Sequence, residues 1–132
     1  MQRAVLPPYP KEGDLTPIYA SPARPFAYFV DADSVSVRQD RIVRYTLIAR
    51  SASGATNVSY EGMRCETYES RSYAFGRPGG TWAQARGQSW SPFSRNRDDH
   101  FGVLADDIFC YVGQAKTVAD IGEVLARMRR SK

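Results

Sequence analysis

"NVSYEGMRCETYESRSYAFG", residues 57–76, changes its apolar phase partway along. Val58 and Tyr60 place apolar side chains on even positions, whereas Met63, Cys65, Tyr73 and Phe75 place them on odd ones. Successive side chains of a strand point to opposite faces, so a flat strand buried on one side cannot exchange its parity. A β-bulge adds one residue and restores the buried face, and Gly62 stands between the two phases where such a bulge would sit. A turn at 64–67 would instead cut the stretch into two strands, but the phase changes before that point. The pattern therefore favours one long strand bent at Gly62. The bend re-aims Tyr60, Glu61, Arg64 and Glu66, the best local candidates for a polar binding constellation; an ion-paired sheet edge is the plainer alternative.

The flanking segments extend the β pattern. Val43, Tyr45 and Leu47 share one face of "RIVRYTLIAR" (41–50), and the polar loop "SASGA" (51–55), with Gly54, suits a hairpin return into the opening stretch. "FAYFV" (26–30) reads as a buried strand and "SVSV" (34–37) as an alternating one. "GRPGG" (76–80) reads as a turn before a further strand in "TWAQAR" (81–86). Upstream, prolines at 7, 8, 10, 17, 22 and 25 exclude a central strand. With Leu6, Tyr9, Leu15, Ile18 and Tyr19 they define an extended arm, residues 1–25, packed on the domain. The P-x-x-P patterns at 7–10 and 22–25 read as parts of that arm rather than as ligand motifs.

The last third turns helical. Phe101, Leu104, Ala105 and Ile108 recur at helical spacing behind Asp98 and Asp99. In "TVADIGEVLARMRR", Thr117 caps a helix with Asp120, and Val118, Ile121, Leu125 and Met128 form one stripe. Strands first and helices last predict an α+β fold: a bent antiparallel β-sheet of about five to seven strands with two C-terminal helices packed on it, in one domain over residues 26–132.

A chain of 132 residues with 12% aromatic and 24% charged residues buries a sizeable core as a single globular domain. No apolar run reaches the ~20 residues of a membrane span. A net charge of +4 permits anionic partners without requiring one. Part of the excess, Arg127, Arg129, Arg130 and Lys132, sits where cations complement a helix C-terminus. Two cysteines, Cys65 and Cys110, fit either one disulfide in an oxidising compartment or two buried thiols.

Motifs that would assign chemistry are missing or incomplete. The single histidine, His100, lies in a helical pattern without a nucleophile signature, so a small hydrolase built on it is the third-ranked function. One histidine and two distant cysteines do not form a zinc site. "DADSVSVRQDRI" (31–42) has Ser36 and Ile42 where a calcium loop needs glycine and glutamate. No metal or cofactor is expected. "GRPGG" lacks the lysine and hydroxyl of a phosphate-binding loop, and "RSYAFG" (71–76) departs from an RNA-recognition strand at Ser72 and Gly76. No specific nucleic-acid motif remains. "NVS" (57–59), on a strand, is an accidental match to a glycosylation acceptor. Surface arginines interleaved with aromatics, including Arg64, Arg71 and Arg77, keep an anionic polymer, nucleic acid or acidic glycan, as the second function.

"YPKEGDL", "VRYTLIARSASGATNVSYEGMRCET", "YAFGRPGGTW" and the cysteine of "DDIFC", in that order and spacing over residues 8–130, resemble the CNP-one-like family of small, uncharacterised proteobacterial proteins. The resemblance implies export to the cell envelope, periplasmic or outer-membrane associated, with a Cys65–Cys110 bridge and no assigned activity. Such proteins often carry a signal or lipoprotein leader; this sequence departs from that pattern with Met1 in its place, which suggests a leader removed and ties any lipid anchor to it. The leading expectation is thus a non-enzymatic envelope protein acting as an interaction module toward an envelope partner, through the polar residues around Gly62.

Overall fold

Strand pairing begins with the segments 41–64, which the sequence marks most clearly. The computed structural model describes residues 5–18 and 26–130. Strand β3 (Ile42–Ser51) and strand β4 (Thr56–Arg64) form an unbroken antiparallel ladder from Ile42↔Arg64 to Arg50↔Thr56. The hairpin loop between them contains Gly54 at φ 92°, and the Ser51 N–H donates to the Ala55 carbonyl at 2.9 Å. On one side of this pair lie β2 (Phe26–Val37) and β1 (Leu15–Ile18). On the other lie β5 (Glu69–Arg77), β6 (Thr81–Gln84) and the two-residue β7 (Ser91–Pro92), which pairs with the start of β5. All pairs are antiparallel, giving a seven-stranded sheet. Pro17 sits in β1, an edge strand, where a missing N–H is tolerated.

The long strand predicted over 57–76 is two strands. The chain turns at residues 65–68, with Tyr68 at φ 56°, and returns as β5. The phase change has a different origin from a bulge at Gly62, because the β3–β4 ladder runs through Gly62 without a shift. Both faces of β4 are buried. Met63 and Cys65 join the helix-side core, while Tyr60 packs on Tyr73 and Trp82 on the other side. A bulge does exist, one strand over: Tyr60 pairs with Ala74 and Glu61 with Ser72, so Tyr73 is the extra residue. Its carbonyl accepts the Ala85 N–H at 2.9 Å, which leaves the widened ladder satisfied.

A second irregularity falls in β2, where Asp31 pairs with Thr46 but Ser36 with Arg44. Ser34 closes the gap: its hydroxyl donates to the Asp31 carbonyl at 2.6 Å and accepts the Thr46 N–H at 2.7 Å. "FAYFV" and "SVSV" are accordingly halves of one strand.

The helical third packs on one face. Helix α1 (His100–Val103) continues as a π-helical segment, Leu104–Phe109, then a short ribbon of β8 (Cys110–Tyr111) and β9 (Gln114–Ala115), then helix α2 (Val118–Arg130). Asp99 caps α1 by accepting the Phe101 N–H at 2.9 Å, and Thr117 accepts the Asp120 N–H at 3.1 Å ahead of α2. Ile121 and Leu125 are buried in the core with Val124 and Met128 beside them, but Val118 lies off the stripe, exposed in the first turn. Tyr28, Val30, Val43, Tyr45, Leu47 and Met63 meet Leu104, Ile108 and Phe109 across this interface. On the opposite face, residues of the arm lie against the sheet: Tyr9 packs at a tilt, 5.0 Å between ring centres, on Trp82, whose indole N–H donates to the Pro7 carbonyl. Residue Tyr19 and the 22–25 motif lie outside the described residues.

Cys65, in the turn after β4, is bonded to Cys110 at the end of the π-helical segment, across a sequence separation of 45. The bridge ties the helical layer to the centre of the sheet, and both sulfurs are buried. Loop-closure entropy for that separation contributes ~4 kcal/mol in the chain-entropy model. Chain denatured without reductant should expose no reactive thiol, and Cys65→Ser/Cys110→Ser should lose about that much stability in urea denaturation. Two titratable thiols in the unreduced chain would contradict the bridge.

Candidate functional site

Gly62 occupies the centre of a transverse row: Arg44 of β3 pairs with it on one side and Arg71 of β5 on the other. Directly paired residues share a face, so both guanidinium arms rise on the side away from the helices. The bulged Tyr73 swings its ring over the bare backbone between them. A Cβ at Gly62 would lie 2.7 Å from the Tyr73 hydroxyl and 2.8 Å from Cε2, closer than carbon atoms approach. A side chain at 62 would therefore have to push the end of the tyrosine ring aside. The ring then takes a guanidinium on each flank, Arg71 with its carbon 4.9 Å from the centroid and Arg44 at 5.6 Å.

Trp90 extends the row. It precedes β7, and that short pairing with Glu69 and Ser70 returns the chain over the β4–β5 turn. Its ring lies 4.0 Å from the guanidinium carbon of Arg64 and 5.9 Å from that of Arg71. The result is a ladder, Arg44–Tyr73–Arg71–Trp90–Arg64, of alternating cations and rings.

The cations differ in their other partners. Arg44 forks onto Asp40 at 2.9 and 3.3 Å, and those bonds hold the Asp40 carboxyl below its ordinary range. Arg64 has a looser partner in Glu69 at 3.6 Å, whose carboxylate accepts a closer bond, at 2.6 Å, from Thr67. Arg71 has no ion-pair partner among the described residues, and its Nε is buried without a hydrogen bond. Tyr60 lies beneath, almost wholly buried; burial pushes its phenol up, while the Ser36 hydroxyl beside it and the Arg44 and Arg38 charges pull it back.

Of the residues singled out in the sequence, the structure brings Tyr60, Arg64 and Arg71 to this face and separates the rest. Glu61 points the other way, into the helix-side core, where it accepts from Tyr45 at 3.1 Å and Ser59 at 2.8 Å. Burial raises its carboxyl pKa against both hydrogen bonds, and burial followed by the Glu61 charge drives the Tyr45 phenol well up. Glu66 is exposed in the turn and lines, with Arg41, Arg64 and Gly113, an open groove of about 430 Å³ beside the disulfide. Arg77 stands at the far end of β5, ~20 Å from Arg71 by strand rise, at the mouth of a pocket between arm and sheet. His100 is stacked at 4.3 Å on Tyr28 and 4.1 Å from Phe101, with Asp99, the helix cap, at 3.9 Å from Nδ1. Arg44, Tyr73 and Trp90 were not singled out; the adjacent signal was Gly62 itself, a glycine mid-strand with no turn to explain it.

These features define an α+β domain with a disulfide-tied helical layer on one face and an arginine–aromatic ladder on the other. The model of the CNP1-like family matches residues 1–129, and the chain belongs to that family. No curated protein and no solved structure matches it. Among the described residues no helix is long and apolar enough to cross a membrane; this and the disulfide are compatible with an exported protein.

Two measurements probe this geometry. Gly62→Ala should cost ~1–3 kcal/mol through overpacking, and that cost should vanish in a Tyr73→Ala background; additive effects in the double-mutant cycle would place the strain elsewhere. Glu61 and Asp31, both raised chiefly by burial, keep their protons to higher pH when folded than when unfolded. Their contribution is therefore greatest below their ordinary values of 4.5 and 3.8 and is lost as pH rises through the folded values. Glu61→Gln should flatten the fall in unfolding free energy above pH 4.5, and an unchanged slope would remove Glu61 from that linkage.

Proposed function

We propose that the protein is a non-catalytic binding module of the cell envelope that takes an anionic partner on the ladder of Arg44, Arg71 and Arg64. The observation that carries this reading is Arg71: a guanidinium between Tyr73 at 4.9 Å and Trp90 at 5.9 Å, part of it out of water, with no carboxylate partner among the described residues. Desolvating a charge is costly, and an anion at its remaining edge recovers that cost with a charge-assisted hydrogen bond. Aromatic stacking also fixes the cation in place, so little side-chain entropy is lost when a ligand arrives.

The envelope assignment is supported by the family resemblance and by the disulfide, since such bridges persist in oxidising compartments. The non-catalytic assignment is supported by His100, whose ring is engaged in packing on Tyr28 and Phe101. The excess positive charge of the chain favours the same class of partner and speeds its encounter.

On a sulfated polyanion resin the protein should elute at a salt concentration that falls clearly for Arg64→Gln/Arg71→Gln. Retention that ignores both salt and these substitutions would refute the reading.

A further inference from the structure

The chemistry of the ladder narrows the ligand further, an inference that rests on the anion-binding reading above. We infer that Arg71 and Arg64 recognise the carboxylates of an acidic polysaccharide, edge-on, rather than the bases or phosphates of a nucleic acid. Single-stranded nucleic acid is held largely by bases stacking on open aromatic faces. Here the rings are engaged already. Tyr73 lies on Gly62 with Arg71 and Arg44 on its flanks, and Trp90 has Arg64 at 4.0 Å and Arg71 at 5.9 Å.

What the stacks leave for a ligand is the in-plane edge of each guanidinium. That edge is a planar fork of donors matched to a carboxylate. The same face holds an internal example: Arg44 takes both oxygens of Asp40 in this way, at 2.9 and 3.3 Å. Arg71, next along the ladder, lacks an equivalent among the described residues, and Arg64 has only the loose Glu69. Because the two guanidinium carbons lie 4.0 and 5.9 Å from one indole ring, a chain bearing carboxylates on successive units can meet the pair at once. Multiple weak contacts to one polymer then add through effective concentration.

The test is titration of the full chain with polygalacturonate, its methyl-esterified form, oligothymidylate and inorganic polyphosphate, followed by tryptophan fluorescence and sedimentation. Polygalacturonate should bind and its neutral ester should not. Arg71→Gln should weaken that binding roughly tenfold or more, the equivalent of one charge-assisted hydrogen bond. Arg71→Lys, which keeps the charge but loses the fork, should weaken it comparably, while Arg77→Gln should change nothing. Urea midpoints equal to that of the unsubstituted chain establish that the variants fold.

Tighter binding of oligothymidylate or polyphosphate than of polygalacturonate, lost on Arg71→Gln, would overturn the carboxylate inference and leave anion binding standing. Full retention by Arg71→Lys would overturn the fork argument. Failure of all three polyanions to bind would remove both.

Discussion

A tyrosine ring resting on a bare peptide is the constraint around which the central sheet is arranged. Tyr73 can lie over Gly62 only because no side chain rises there, and it reaches that place because β5 has one residue more than β4 opposite Tyr60 and Glu61. The extra residue costs one ladder position, which Ala85, just past β6, restores. Arg44 and Arg71 lie beside this ring, and Trp90, seated on Arg64, continues the row from Arg71. The glycine, the bulge and the cation ladder are one unit.

The opposite face obeys ordinary core packing. Its distinctive element is Glu61, which lies almost fully buried between Tyr45 and Ser59 and is raised by desolvation despite both bonds. Two buried carboxyl groups, Glu61 on the helix side and Asp31 on the other, are thus built into the sheet, beside the buried hydroxyls of Thr16, Ser34, Thr46 and Ser70. Each is satisfied locally, Asp31 by the Asp33 N–H at 3.2 Å, so neither is left as a bare buried charge.

Turn chemistry and periodicity made much of the fold legible in advance. Gly54, Gly79 and Gly80, all at positive φ, mark the two hairpins read from "SASGA" and "GRPGG", and helix α2 begins at the Thr117 cap. The sheet with C-terminal helices followed from that order. Parity misled at residues 57–76 because it registers only a strand's own side chains. It cannot distinguish one shifted strand from a strand buried on both faces, and the bulge belonged to the partner, at Tyr73. The site was harder still. Tyr60 and Glu61 are adjacent in sequence and therefore on opposite sides of the sheet, while Arg44, Gly62 and Arg71 come together only through pairing across three strands. Trp90 is delivered by a two-residue strand, too short for any periodic signal.

The double burial of β4 also limits how the chain length can vary. Between Val58 and Cys65, odd positions face the disulfide-tied core and even positions the side of the arginine ladder. Inserting or deleting a single residue there would trade the two faces wholesale, sending Tyr60 toward the helices and Met63 toward the ladder. The loop at 86–89, beyond the Ala85 bond to Tyr73, has no such double duty. Length differences among relatives should therefore accumulate in that loop, while the eight residues ending at the first cysteine keep a fixed count.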